Sequence, residues 1–174
     1  PRSKEVQSAA LRTRSMSTLL HTNVLSELLR ATPDPGVLRW FEAQPADTLF
    51  VSSITQAEMM LGARLLPAGK RRAALETAVR AMFDEDFGGR ILPFDPSAAW
   101  VYADIVSARR AAGRPISQLD AQIAAIARHH GVQLATRNVT DFEGCGLLVV
   151  DPWKSTSGVG IRLNMPTRPP RPPL

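Results

Sequence analysis

The 174-residue chain has little of what marks several protein classes. It has one cysteine, Cys145, so an internal disulfide is ruled out and a reducing, cytoplasmic setting is the expectation. A lone cysteine of this kind reads as a small core or edge residue rather than a nucleophile. No apolar run approaches the roughly 18 residues of a membrane span, so no membrane partner is expected. No glycine-rich phosphate loop follows any candidate strand, which argues against a nucleotide-binding α/β protein. There is no internal repeat. What is present is a hydrophobic content of 44%, enough to bury a core, in a length that fits one domain.

The net charge of +5 and the pI near 10.3 suggest a nucleic-acid binder until the charges are located. Residues 1–16 hold +3, from Arg2, Lys4, Arg12 and Arg14 against Glu5. Residues 154–174 hold +4, from Lys154, Arg162, Arg168 and Arg171 with no acid. Residues 17–153 therefore carry −2, and the basic signal belongs to the two ends. We expect residues 1–16 to be an extension, with Met16 as the natural start. Residues 17–153 are expected to form the domain, and 154–174, rich in Pro, Gly, Ser and Arg, a disordered tail.

Between the ends, short apolar runs alternate with helical patterns. Thr18-Leu19-Leu20 reads as a buried strand, followed by a helix through Ser26 to Arg30 with Asn23 as its N-cap. Pro33-Asp34-Pro35-Gly36 breaks the chain, and a helix over about Val37–Ala43 follows. Thr48–Ser52 reads as a strand, with Ser53 and Gln56 as the capping box of the next helix. Lys70–Phe87 carries a stripe of Leu75, Val79, Met82 and Phe83, and Lys70-Arg71-Arg72 reads as its exposed start. Arg90–Pro93 is a short strand. Asp95-Pro96 starts a helix whose buried face is read as Trp100, Val101, Ile105 and Val106. Ser117 to Asp120 opens the next helix as Ser-x-x-acid, and Gly131 closes it after His129 and His130, which suit its C-terminal dipole. Gln133–Thr136 and Leu147–Val150 read as the last strands. This alternation predicts a three-layer α/β domain with a mainly parallel sheet.

In such sheets ligands bind beyond the carboxyl ends of the strands. That edge holds His21-Thr22-Asn23, Ser52-Ser53 and Thr136-Arg137-Asn138. Three acids stand close to it in sequence: Glu58, Asp120 and Asp141. Converging carboxylates favour a hard divalent cation such as Mg²⁺, which prefers oxygen ligands. Each acid also has a plainer reading: Asp120 as a capping-box residue, Glu58 as an exposed helix residue, Asp141 as a turn residue. Arg109, Arg110, Arg114 and Arg137 are candidates for contacting RNA phosphate, with a solvated basic face as the alternative.

From about Leu19 to Trp153 the chain resembles PIN domains of the VapC/FitB toxin type. The matching stretches are His21-Thr22-Asn23-Val24-Leu25-Ser26-Glu27 and Val51-Ser52-Ser53-Ile54-Thr55-Gln56-Ala57-Glu58. Leu65 to Arg72 and Gly113-Arg114-Pro115-Ile116 ahead of Asp120 follow. Ala135 to Phe142 and the closing Pro152-Trp153 complete them. The resemblance implies a three-layer α/β/α PIN-like domain and a divalent-metal-dependent endoribonuclease. It further implies the toxin of a type II toxin–antitoxin pair, dimeric and inhibited by a cognate antitoxin. It places Glu58, Asp120 and Asp141 among the metal-site acids, with Thr22, Asn23, Thr136 and Asn138 orienting ligands or water. The family's first acid falls at His21, where this chain departs from the pattern. Neutral imidazole offers one nitrogen and no charge, which disfavours Mg²⁺ more than Mn²⁺ or Zn²⁺. A protonated His21 among the acids would instead form a salt bridge in the cation's place. The expectation is a folded site with weakened or lost Mg²⁺-dependent cleavage.

Overall fold

Successive strand residues face opposite sides of a sheet, and in the computed structural model both sides of the central strands are covered. The structure describes residues 16–155. The expectations for the segments before and after lie outside the described residues. Within them are five strands: β1 (Thr18–Leu20), β2 (Leu49–Ser52), β3 (Ile91–Leu92), β4 (Gln133–Ala135) and β5 (Val149–Val150). Six α-helices join them: α1 (Thr22–Leu28), α2 (Pro35–Glu42), α3 (Ser53–Arg64), α4 (Lys70–Ala81), α5 (Pro96–Ala111) and α6 (Gln118–His130). The sheet order is β3-β2-β1-β4-β5 and every pairing is parallel.

Leu20, Leu49, Val51 and Ala135 point to one side, where Val24, Leu25, Val37, Met59, Val79 and Phe83 close a core under α1 to α4. Leu19 and Leu134 point to the other, where Ala98, Ile105, Ile123 and Ile126 close a second core under α5 and α6. The sheet is therefore the middle of three layers, as expected. Ala121, Ala124, Ala125 and Ala127 are fully buried, so α6 lies close against its neighbours. Among the described residues no helix is long and apolar enough to cross a membrane.

Several local expectations are corrected. Asn23 lies inside α1, and His21 is the N-cap residue, with no side-chain capping bond. The Asn23 amide is drawn away to the end of β4. α2 begins at Pro35 because Asp34 caps it, accepting from the Gly36 and Val37 amides at 2.7 and 3.2 Å. Ser52, one residue earlier than expected, caps α3 by accepting from Thr55 N at 2.9 Å. Ser53 instead accepts from Phe94 N at 3.3 Å. α4 ends at Ala81 and passes into a wider π turn over Met82–Asp86. Trp100 is 79% exposed. The buried stripe of α5 runs through Ala98, Ile105 and Arg109, and Trp100 lies about 200° around the helix from Ala98 at 3.6 residues per turn. β5 is shorter than expected because Gly144 and Gly146, at φ +77 and +73, turn the chain just before it. Leu148 still accepts from Leu134 N at 2.8 Å.

Candidate active site

The strand order reverses direction between β1 and β4, so the crevice beyond their carboxyl ends is where a parallel sheet presents a site. His21 N donates to Ala135 O at 3.0 Å, which ties the two strand ends together there. The residues that follow each strand are polar, and they meet.

His21 is 6% exposed. Its Nε2 lies 3.1 Å from Asp120 Oδ1, and its Nδ1 lies 3.1 Å from Thr136 Oγ1. Thr136, fully buried, already accepts from Asn23 Nδ2 at 3.0 Å and from Asn138 N at 3.1 Å. A hydroxyl has two lone pairs and one proton. With both lone pairs used, the proton goes to His21 Nδ1 at 3.1 Å in preference to Asn23 Oδ1 at 3.5 Å. Proton positions assigned in this way follow from the partners. Asp120 takes the other nitrogen, Nε2, so both sides of the imidazole are engaged. Phe142 packs edge-on against the imidazole, with centroids 5.3 Å apart and planes at 77°.

Asp120 is held from both sides. Oδ1 takes the His21 bond and Oδ2 accepts from Ser117 Oγ at 2.6 Å, while Ser117 Oγ accepts from Asp120 N at 3.1 Å. Ser117 thus caps α6 through its hydroxyl, and the Asp120 carboxylate binds that hydroxyl rather than the Ser117 backbone N–H of a reciprocal capping box. The carboxyl is held below its ordinary range, first by the bond from His21 and then by that from Ser117, against the opposing effect of burial. Glu58, half-buried on α3, accepts from Thr22 Oγ1 at 2.5 Å.

Asp141 sits exposed in the turn Val139–Phe142. The arginines expected near phosphate divide. Arg109 is buried and donates to the Glu143 carbonyl, so it is withdrawn from the surface. Arg114 pairs with the Glu143 carboxylate at 2.6 Å. Arg137 lies over the Trp153 ring at 5.5 Å. Arg110 is exposed. Sequence reasoning missed the role of Phe142. Its only signal was an aromatic directly after Asp141 in the turn that follows β4.

The PIN domain family model matches residues 18–143. The chain belongs to the PIN domain family. Within it, this PIN domain is 42% identical over 136 residues to the VapC ribonuclease Y4jK of Sinorhizobium fredii, covering 78% of this chain and 97% of that protein. It is 38% identical to the toxin FitB of Neisseria gonorrhoeae over 135 residues, 78% of this chain and 97% of that one. The crystal structure of FitAcB from Neisseria gonorrhoeae superposes with a TM-score of 0.75 at 38% identity, covering 79% and 99% of the two chains. The expected VapC/FitB-type membership and three-layer fold are thereby shown.

Whether this PIN domain's residues suit the cation that the family resemblance implies can be asked of the donor atoms. Both His21 nitrogens are engaged, Nε2 with Asp120 and Nδ1 with Thr136. Both Asp120 oxygens and one Glu58 oxygen are also engaged. Among the described residues no three His, Cys, Asp or Glu side chains converge to hold one ion. As arranged, these residues do not fit Mg²⁺.

Proposed function

We propose that the chain is an endoribonuclease toxin of a type II toxin–antitoxin system whose cleavage is impaired by His21. Family membership supports the activity class, since relatives of this similarity are named as a ribonuclease and a toxin. The observation that carries the impairment is the His21–Asp120 bond of 3.1 Å, which commits the acid to an internal partner. In this reading RNA is the substrate, Glu58 and Asp120 are the central acids, and Asp141 is an outer one. Thr22, Asn23, Thr136 and Asn138 hold them in place. Arg110 and Arg137 are the exposed basic residues available to phosphate. A cognate antitoxin, a homodimeric state and a cytoplasmic setting belong to the same proposal. The metal it assigns is Mg²⁺, or Mn²⁺, for a site restored to an acid at position 21.

The test is cleavage of a panel of structured RNAs in Mg²⁺ and in Mn²⁺ by three proteins: the chain as it stands, His21→Asp, and His21→Asp with Asp120→Asn. The expected result is that His21→Asp cuts faster by about two orders of magnitude, because a cation stabilising developing phosphate charge contributes several kcal/mol. The added Asp120→Asn abolishes the gain. Equal cutting by the unaltered chain sinks the impairment. The same engaged nitrogens favour a second reading, a catalytically silent PIN module that binds RNA or an antitoxin. That reading takes over if none of the folded proteins cuts.

A further inference from the structure

Arg109 is the one lysine or arginine among the described residues that is buried, at 6% exposed. It interrupts an otherwise apolar stripe on α5 after Ala98 and Ile105. Its Nη1 donates to the Glu143 carbonyl and its Nε has no hydrogen-bond partner. The Glu143 carboxylate goes to Arg114. A buried guanidinium met by a single carbonyl is an unfavourable way to fill space, and an apolar residue of similar size would pack there at lower cost. Its value lies in what that carbonyl belongs to.

Glu143 follows Phe142 directly, and Cys145 N donates back to Phe142 O at 3.2 Å. The segment is bonded to Arg109 and lies beside Arg128. Arg109 holds Glu143 O, and its Cδ lies 3.9 Å from where a Cβ on Gly144 would stand. The Arg128 guanidinium lies 3.5 Å from the same point on Gly146. The front of this clamped segment is Phe142, 1% exposed, edge-on to His21.

We propose that Arg109 is a positioning residue: through Glu143 O it fixes Phe142 against the His21 ring, and so keeps Nε2 aimed at Asp120. This rests on reading the His21–Asp120 pair as the active centre, but the test below uses no cleavage. It therefore fails separately from the proposed activity.

The test follows the His21 ring signals by ¹H–¹³C NMR in the full chain. Four proteins are compared: unaltered, Arg109→Lys, Phe142→Leu, and the double variant. Lysine keeps the charge and much of the stem but lacks the planar fork. Arg109→Lys is expected to shift the His21 signals as the Phe142 ring moves off, and to cause no further shift once Phe142 is leucine. Unmoved His21 signals in Arg109→Lys overturn the proposal, as do equal shifts in both backgrounds, which a merely structural role would give. Should Arg109→Lys not fold, Arg109→Gln decides. It removes the guanidinium from Glu143 O and leaves Phe142 in place. It must shift His21 in the unaltered background and not in Phe142→Leu.

Discussion

At the scale of single residues, the site turns on one hydroxyl. Thr136 Oγ1, itself fully buried, accepts from Asn23 Nδ2 and Asn138 N and faces His21 Nδ1, all within 3.1 Å. Thr136→Val keeps the shape and removes the partner of the buried His21 Nδ1 and of two part-buried donors, Asn23 Nδ2 and Asn138 N. Urea unfolding should show a loss of about 2 kcal/mol, the scale of an unsatisfied buried polar group. Asp120 gives a pH prediction whose sign is fixed. Its folded carboxyl is held below the ordinary 3.8 by the His21 and Ser117 bonds. That stabilisation is present in full above the unfolded value and is lost as pH falls below it through the lowered folded value. Acid unfolding of Asp120→Asn should therefore show a flatter limb below about pH 4, and an identical limb would refute the assignment. The polar residues themselves were readable from strand ends alone, because a parallel sheet collects them on one edge. The contact of His21 with an acid was readable too; what could not be read was which acid it meets, that it also faces Thr136, or that Arg109 turns inward. Those depend on how close α5 and α6 lie, which no spacing encodes.

At the scale of elements, the caps show where a sequence speaks and where it misleads. Asp95-Pro96 was recognised as a helix start and is one, with Asp95 accepting from Ala98 N at 2.8 Å. The same dipeptide at Asp34-Pro35 does the same work, but Pro33 and Gly36 around it made the stretch look like a plain break. Asp34→Ala should cost about 1 kcal/mol, as lost N-caps do, with the urea midpoint reduced and the slope unchanged. The sequence points to Ser53 as the cap of α3. The cap is Ser52 because β2 ends there and its hydroxyl also reaches Thr55 Oγ1 at 2.9 Å. Trp100 was assigned inward on hydrophobicity. Its position around α5 puts it outward, and periodicity outweighs residue type when the two disagree.

At the scale of the whole molecule, the described residues supply five strands and two cores. A protein of residues 16–155 should therefore unfold at the same temperature as the full chain in calorimetry. A large drop would mean that the ends contribute to the fold. The strand order carries a further consequence. The central strand is also the first made, and one of its two neighbours, β4, comes late in the chain. Synthesis proceeds from the N-terminus, and contacts distant in sequence form only when both partners exist. His21 thus waits on the ribosome for Asp120, Thr136 and Phe142. Through most of its own translation the nascent chain therefore carries His21 without the partners that complete its surroundings.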